Sequence, residues 1–289
     1  MLGAAWIAER AMLSALGEAS GSRLLAIASR DPRRAEVVAA RHKIPRTHSD
    51  YAELLADPEI DAVYLPLPNS LHLPWTLRAL AAGKHVLCEK PLALNALEAE
   101  EMTEAARAAG RLLMEAVMYR FHPRMRELAA SLAGTEIRHL YASFGFRIDA
   151  PRNYRLRPEL GGGALMDVGC YVADVARWLI GEPERVEAVM RRDTVDMSCS
   201  AVLGFPGGAL ASLYASFESP EYEELVVACS DRIVRVSKPF TAWRDPHDPY
   251  RLMVEAFTEA ARSGAPAPLP VESSIANLRL LDRIRDAAG

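Results

Sequence analysis

Cysteine is scarce in this sequence, and it forms no pattern typical of metal sites or disulfide frameworks. The four cysteines, Cys88, Cys170, Cys199 and Cys229, are far apart in 289 residues and include no CxxC pair. Metal-binding and disulfide-rich proteins usually show paired or regularly spaced cysteines. We therefore expect buried, reduced thiols, a cytoplasmic location and no bound metal.

The sequence also lacks an excess of positive charge and a long apolar run. Its formal net charge is -4 and its isoelectric point is about 6.0, which provides no basic surface for nucleic acid or an anionic membrane. No stretch approaches the roughly 18 apolar residues that a membrane-spanning helix needs, and no basic segment precedes an apolar one at the start. A small molecule is therefore the expected partner, with no nucleic acid and no membrane.

Enough apolar sequence is present to build two domains. Of all residues, 50% are hydrophobic and 25% are charged, and a chain of this length favours two domains over one. In the first third, short apolar runs alternate with helical patterns, at residues 24–28, 32–42, 62–65, 72–82, 85–88 and 95–109. This alternation predicts an α/β fold, with a Rossmann-type doubly wound parallel sheet over residues 1–118.

The pattern changes after about residue 118. Successive strands are predicted with few helices between them, at residues 137–148, 185–192, 197–204, 208–217, 224–228 and 232–236. Helices are predicted at residues 167–180, 249–263 and 272–287. We therefore expect a second, α+β domain over residues 119–289, with a largely antiparallel open sheet.

The chain opens on a turn of small residues that runs into a helical pattern. In Gly3-Ala4-Ala5-Trp6-Ile7-Ala8, one glycine and two alanines occupy the small positions of a dinucleotide-binding loop, so Gly3, Ala5, Trp6 and Ile7 are candidate cofactor contacts. Only Met1 and Leu2 precede the turn. We therefore expect a truncated first strand, unpaired backbone groups in its neighbours and a poorly anchored loop. A start site assigned too late in the gene would explain this.

The residues after the next apolar run indicate which cofactor the loop binds. Ser29 and Arg30 stand where a dinucleotide fold contacts the adenosine ribose. A hydroxyl and a guanidinium suit a 2′-phosphate, which favours NADP over NAD. The alternative for Arg30 is a solvated side chain. Asp31 is interpreted as a helix cap before Pro32.

Two further strand ends carry candidate cofactor contacts. The first holds Pro66, Leu67, Asn69 and His72; Asn69 and His72 could hydrogen-bond a ribose, or they could be a helix cap and a buried structural histidine. The second holds Glu89 and Lys90. A lysine at the end of a buried strand is costly to desolvate without a role, and partial burial lowers its pKa toward values useful for proton transfer. The alternative is an exposed Lys90 paired with Glu89.

Three motifs, in this order, resemble one known family. Glu89-Lys90-Pro91 is followed by Met118-Tyr119-Arg120-Phe121-His122-Pro123, and then by Gly161-Gly162-Gly163-Ala164-Leu165-Met166-Asp167-Val168-Gly169-Cys170-Tyr171. Together they resemble the Gfo/Idh/MocA oxidoreductases, and most closely the NADP-dependent aldose and dihydrodiol dehydrogenases among them. The resemblance covers nearly the whole chain. It implies hydride transfer between NADP(H) and a carbinol or carbonyl carbon of a sugar or cyclic diol, in a homodimer or larger homo-oligomer assembled through the C-terminal sheet.

The resemblance also implies roles for particular residues. Lys90 would bind the reacting hydroxyl and assist its proton transfer, Tyr171 would be the acid or base at the substrate oxygen, and Asp167 would orient the substrate. The spacing of four residues puts Asp167 and Tyr171 on one helix face. Lower-ranked candidates for substrate contacts are Arg120, His122, Asn153 and Arg155.

Other readings stay open. An impaired relative could bind nucleotide or sugar without turnover, and some distant family branches use NAD transiently to cleave glycosidic bonds. The glycines at 161–163 are either a flexible turn or a place where backbone approaches a bound sugar or nicotinamide. The short segment from Ser237 to Trp243 departs from the family pattern and predicts a smaller second sheet.

Overall fold

The computed structural model describes residues 1–150, 153–241 and 246–289, which divide into two units. Unit 1 comprises Met1–Ala93, Leu97–His122 and the described part of Ala242–Ser274. Unit 2 comprises Leu94–Ala96, the described part of Pro123–Thr241, and Ile275–Gly289. This division differs from the expected single boundary at residue 118, because the helix Pro249–Ser263 packs on the first helix of the chain and on the turn Met118–Phe121.

The elements are numbered in chain order. The strands are β1 (Ala26–Ala28), β2 (Arg46–His48), β3 (Ala62–Leu65), β4 (His85–Glu89), β5 (Leu113–Ala116), β6 (Ile137–Gly145), β7 (Arg185–Arg192), β8 (Asp196–Gly204), β9 (Leu210–Ser216), β10 (Tyr222–Cys229) and β11 (Ile233–Ser237). The helices are α1 (Leu13–Glu18), α2 (Pro32–His42), α3 (Tyr51–Ala56), α4 (His72–Ala81), α5 (Ala96–Ala109), α6 (Pro123–Leu132), α7 (Cys170–Ile180), α8 (Pro249–Ser263) and α9 (Val271–Ala287). Two π-helical segments, Ala8–Met12 and Leu165–Gly169, run directly into α1 and α7.

The strands of unit 1 are parallel, as the alternating pattern predicts. β1 pairs with β2, and β4 pairs with β3 on one side and β5 on the other. Met1 and Leu2 lie between these two groups: Ala28 N–H donates to the Met1 carbonyl at 3.1 Å, and Leu2 N–H donates to the Tyr64 carbonyl at 3.0 Å. The expectation that the neighbours of the first strand are unpaired is therefore wrong at these positions, because two residues suffice to bridge β1 and β3.

Unit 2 is built on one six-stranded sheet. Its strand order is β11-β10-β6-β9-β8-β7, and every neighbouring pair is antiparallel except β6 with β9. α7 packs on β6 and β9. Along β6, Leu140 and Ala142 are fully buried while His139 and Tyr141 are partly exposed, which is the alternation of a sheet covered on one face. The predicted fold class, a parallel Rossmann-type sheet followed by a largely antiparallel α+β sheet, is confirmed.

Candidate active site

The turn at the start of unit 1 is shaped for close approach to its backbone. Gly3 has a φ of 113°, which residues with a Cβ rarely adopt, and a Cβ there would lie 2.9 Å from the Leu67 side chain. Gly3 N–H donates to the Ala28 carbonyl at 2.8 Å, so the turn is anchored. Helical backbone follows at once, since the Ala5 carbonyl accepts from Ala8 N–H at 3.1 Å. The first N–H groups of a helix are available to a phosphate.

The side chains of this turn differ in exposure. Ala5 and Ile7 are half-buried, whereas Trp6 is 58% exposed. The guanidinium carbon of Arg10 lies 4.7 Å from the centre of the Trp6 ring. An exposed aromatic ring next to the turn offers a stacking surface, so Trp6 keeps its place among the candidate cofactor contacts.

The segment after β1 combines one structural role with two candidate contacts. Asp31 caps α2, because its carboxylate accepts from Arg33 N–H at 3.1 Å, and this interpretation is confirmed. Ser29 is buried, and its hydroxyl accepts from Asp31 N–H at 3.3 Å. Arg30 is exposed beside Tyr51. Burial raises the pKa of Tyr51, and a hydrogen bond with the Arg30 backbone counters this. The roles of Ser29 and Arg30 in binding a cofactor stay predictions.

The structure changes the interpretation of His72. Its side chain is fully buried, and its two ring nitrogens lie 2.9 Å from the carbonyl oxygens of Pro91 and Leu67. Burial lowers the pKa of His72, and these two contacts counter the effect. Both nitrogens face backbone carbonyls, which favours the buried structural histidine of the two alternatives. A contact of His72 with the cofactor stays a prediction. The place of His72 in the structure is to tie the loop after β3 to the loop that follows Lys90.

The neighbouring loop residues lie at the carboxyl end of β3. Pro66, Leu67 and Asn69 are buried or nearly so, and Leu67 borders Gly3. Asn69 is not the cap of α4, whose N-cap position is Leu71. The helix-cap alternative for Asn69 is therefore wrong, and its contact with the cofactor stays a prediction.

Lys90 directly follows β4, in a segment that buried acids hold in place. Tyr64 donates its hydroxyl hydrogen to Glu89 at 2.5 Å, and the other Glu89 oxygen accepts from Lys90 N–H at 3.2 Å. Glu115 on β5 accepts from Leu92 N–H at 2.9 Å. Glu89 and Glu115 are buried, and Lys90 is half-buried. The two carboxylates thus fix the backbone at Lys90 and at Leu92. The motif did not predict that Tyr64 and Glu115 support this segment.

Burial also determines the state of two groups next to Lys90. It raises the pKa of Tyr64 well above its ordinary value, and the charge of Glu89 adds to this effect. It likewise raises the pKa of the Cys88 thiol well above its ordinary value. Both groups are therefore neutral at ordinary pH: Tyr64 acts as a hydrogen-bond donor, and Cys88 is the inert thiol that the sequence predicts.

In unit 2, three predicted site residues lie together. The Nε of Arg155 lies 2.6 Å from an oxygen of Asp167, and Asp167 is buried in the π-helical segment that leads into α7. Tyr171, in the first turn of α7, packs its ring 5.5 Å from those of Phe144 and Phe240. Burial lowers the pKa of Arg155, but the charges of Asp167, Tyr154 and Tyr171 raise it above its ordinary value overall. A carboxylate, a guanidinium and a phenol therefore lie in one cluster. The π-helical segment that carries Asp167 is of a kind that is frequent at functional sites.

The glycine run is explained by contacts with the protein itself. A Cβ on Gly162 would lie 2.4 Å from the Arg155 carbonyl oxygen, and one on Gly163 would lie 2.0 Å from an Asp196 oxygen. Asp196 also accepts from Leu165 N–H at 2.6 Å, at the start of the helix that carries Asp167. The backbone at Gly162 and Gly163 therefore approaches Arg155 and Asp196, and an approach to a bound sugar or nicotinamide stays a prediction. Asp196 is a positioning residue that no local motif predicts, because it lies 31 residues from its partner Leu165.

Gly162→Ala is expected to lower the free energy of unfolding by about 1–3 kcal/mol, because the added methyl group would press on a backbone oxygen that cannot rotate away. Urea denaturation measures this. Gly17→Ala is the matched control: it lies within α1 with nothing in 4 Å of the added Cβ, so it should raise stability by up to about 1 kcal/mol. Equal stability of the two variants would contradict the tight contact.

The other candidate substrate contacts divide between the two units. Arg120 and His122 belong to unit 1, where His122 is buried with its ring centroid 6.3 Å from that of His247. Asn153 belongs to unit 2, and its side chain accepts from Arg155 N–H at 3.1 Å. Asn153 thus shapes the Arg155 loop. The Nε of Arg155 is held by Asp167, so the structure gives Arg155 a protein partner before any substrate. Contacts of these four residues with substrate stay predictions.

The described residues contain neither a cluster of metal-ligand side chains nor a helix fit to span a membrane. Within residues 1–150, 153–241 and 246–289, no group of three or more His, Cys, Asp or Glu side chains is placed to hold a metal ion. In the same part of the chain no helix has the length and apolar composition to cross a membrane.

Comparisons with known proteins agree with this arrangement. Residues 1–117 match the model of the oxidoreductase family with an NAD-binding Rossmann fold, and residues 122–235 match the GFO/IDH/MocA C-terminal domain. D-xylose 1-dehydrogenase (NADP(+)) 2 of Haloferax volcanii is 39% identical over 100% of this chain and 96% of its own length. Trans-1,2-dihydrobenzene-1,2-diol dehydrogenase of Sus scrofa is 35% identical over 76% of this chain and 68% of its own length.

Solved structures give the same result. An aldose-aldose oxidoreductase from Caulobacter crescentus, complexed with glycerol, matches with a TM-score of 0.93 at 28% identity, over 99% of this chain and 96% of that chain. A 3-ketoreductase from Actinomadura kijaniata, in complex with NADP and TDP-benzene, matches with a TM-score of 0.87 at 32% identity over the same shares. With both domains matched in order and full-length relatives well above 30% identity, the chain belongs to the Gfo/Idh/MocA oxidoreductase family.

Proposed function

We propose that this protein is an NADP(H)-dependent oxidoreductase that transfers a hydride between the nicotinamide and a carbinol or carbonyl carbon of a sugar or cyclic diol. The observation that carries the proposal lies in unit 1. Lys90 directly follows β4 at the carboxyl edge of the parallel strands, and Gly3 follows Leu2 at that same edge. Ligands of open parallel sheets bind outside the carboxyl ends of the strands, so Lys90 has the position of a residue that acts on a bound dinucleotide or its substrate.

The cofactor proposal rests on the shape of the turn and on the residues after β1. The turn has no room for a side chain at Gly3, and helical backbone follows it, as a pyrophosphate requires. Ser29 and the exposed Arg30 supply a hydroxyl and a guanidinium for a 2′-phosphate. The names of two relatives, an NADP(+)-linked xylose dehydrogenase and a ketoreductase crystallised with NADP, support the same choice. When bound, the nicotinamide accepts or donates the hydride.

The protein's own groups handle the proton and orient the substrate. In this proposal the Lys90 ammonium binds the reacting oxygen, and Tyr171 gives or takes its proton. Asp167, paired with Arg155, accepts hydrogen bonds from neighbouring substrate hydroxyls. Oxidation of an alcohol and reduction of a carbonyl use the same groups in opposite directions.

Arg30→Ala is expected to weaken NADPH binding by about 10-fold to 100-fold, because a charge-assisted hydrogen bond to the 2′-phosphate is lost. NADH has no such phosphate, so its dissociation constant should stay within about twofold. Fluorescence titration with both nucleotides measures this. Arg41→Ala is the control, since Arg41 lies at the other end of α2 and pairs with Glu9. An unchanged preference for NADPH in Arg30→Ala would overturn the NADP assignment.

The test of the function is an activity screen. The protein is incubated with aldoses, including xylose and glucose, and with trans-dihydrodiols, each with NADP and with NAD, and the reduced nucleotide is followed by absorbance. Turnover of at least one sugar or diol, faster with NADP, is expected. Binding of NADPH without any turnover would favour a binding module, and release of a sugar from a glycoside would favour the glycosidase of this fold.

The proposal extends to self-association through the sheet of unit 2, in a cytoplasmic protein. α7 packs on one face of the sheet, and the strands leave large apolar side chains exposed, which is typical of interaction surfaces. These are Val189, Val202, Leu210, Tyr222 and Ile233, between 44% and 74% exposed. Sedimentation velocity tests this: a dimer or larger species is expected, and a monomer at micromolar concentration would contradict it.

A further inference from the structure

The Arg155 side chain is held by a carboxylate and two aromatic rings. Its side chain is 23% exposed, and that of Asp167 is 11% exposed. The guanidinium carbon lies 4.8 Å from the centre of the Tyr154 ring and 5.8 Å from that of Phe146. A cation stacked on aromatic rings and bonded to a carboxylate is held in one orientation.

The backbone of Arg155 is fixed as firmly as its side chain. Its N–H donates to the Asn153 side chain at 3.1 Å, and its carbonyl accepts from Gly163 N–H at 2.9 Å. Gly162 lies so close to that carbonyl that a Cβ would not fit. Both the backbone and the side chain of Arg155 therefore bond to the segment that carries Asp167.

Tyr171 lies on the same helix face as Asp167, because it follows Asp167 by about one helical turn. The Phe144 ring, which packs 5.5 Å from the Tyr171 ring, lies 6.4 Å from the Phe146 ring that Arg155 contacts. The rings of Phe144 and Phe240 pack against the Tyr171 ring. The Glu223 carboxylate accepts from Phe240 N–H at 3.1 Å. Burial lowers the pKa of Arg124, and the charge of Glu223 counters this effect.

The geometry points to Arg155 as a positioning residue for the proposed catalytic pair: it holds the Asp167 carboxylate in place and compensates its negative charge next to Tyr171. This inference rests on the proposed function of Tyr171 as acid or base. A lone carboxylate near a phenol disfavours the phenolate, whereas a guanidinium favours it. With both present, Asp167 can face substrate hydroxyls as an anion without disabling Tyr171 as a base.

The test is the titration of Tyr171 itself, followed by NMR of protein labelled at the ring carbon that bears the hydroxyl, with Tyr171→Phe to assign the signal. Arg155→Gln is expected to raise the pKa of Tyr171 by about one unit or more, because the positive charge paired with Asp167 is lost. Arg155→Gln with Asp167→Asn should bring the pKa back toward that of the unchanged protein. Arg155→Lys, which keeps the charge, should shift it much less.

Arg157→Gln is the matched control, since Arg157 lies two residues away, is exposed and pairs with Glu159. It should leave the pKa of Tyr171 unchanged. A Tyr171 signal that titrates alike with and without the Arg155 charge would overturn the inference. If Arg155→Gln does not fold, Arg155→Lys and Asp167→Asn decide the matter, because Asp167→Asn alone must lower the pKa of Tyr171. The titration needs neither substrate nor cofactor, so its outcome is separate from that of the activity screen.

Discussion

Lys90→Ala is expected to lower kcat by about 10³-fold or more while leaving the dissociation constant of NADPH within about threefold. The reason is that the ammonium is proposed to contact the reacting oxygen, whereas the turn at Gly3 and the residues after β1 are proposed to hold the nucleotide. The backbone around Lys90 is fixed by Glu89 and Glu115, so truncating the side chain should leave the fold intact. Steady-state kinetics and NADPH titration measure the two effects separately.

Lys43→Asn is the control for this variant. Lys43 is exposed at the end of α2, with a φ of 55° that asparagine also tolerates. The kcat of Lys43→Asn and its dissociation constant for NADPH should both match those of the unchanged protein. Turnover by Lys90→Ala at more than about a tenth of the normal rate would remove Lys90 from the chemistry.

Tyr171→Phe is expected to lower kcat by about 10²-fold to 10⁴-fold, the range lost with a general acid or base. The ring would keep its packing against Phe144 and Phe240, so the free energy of unfolding should change by less than about 1 kcal/mol. KM should change little, because Asp167 and Lys90 are proposed to hold the substrate. Kinetics over a range of pH, together with urea denaturation, measures both effects.

Tyr214→Phe is the matched control for the loss of a hydroxyl. Tyr214 lies on β9 and pairs with Ser143 on β6 and Ser200 on β8. Its variant should retain full activity. If Tyr171→Phe also kept full activity at every pH, another group would have to move the proton.

Much of the fold could be predicted because its elements carry strong periodic patterns. The bounds of α2, β3, β7 and α8 agree with the sequence-based bounds at every residue. The sequence patterns do not predict β2 and α3, and the reason is physical. β2 is three polar residues held by pairing with β1, and α3 is only six residues long. Short elements like these take their conformation from the sheet and the helices around them rather than from their own pattern.

The site was predictable only where its residues stand in local motifs. Such motifs contain Lys90, Asp167 and Tyr171. The structure also pairs Asp167 with Arg155, which the sequence analysis gives only as a lower-ranked candidate for substrate contact. The supporting groups were missed because they come from distant strands. Glu115, for example, bonds to a residue 23 positions away. His72, the first residue of α4, shows the converse. The sequence around a histidine near a strand end does not distinguish a ring that contacts a ribose from one that contacts backbone carbonyls.

The most direct test of the account uses a substrate deuterated at its reacting carbon. The best sugar or diol from the screen is incubated with NADP, and the mass of the reduced nucleotide is measured for the unchanged protein, Lys90→Ala and Tyr171→Phe. NADPH that carries the substrate's deuterium is expected from the unchanged protein, with little or none formed in the same time by either variant. NADPH without the label, or equal labelling by all three proteins, would contradict direct hydride transfer assisted by these two residues.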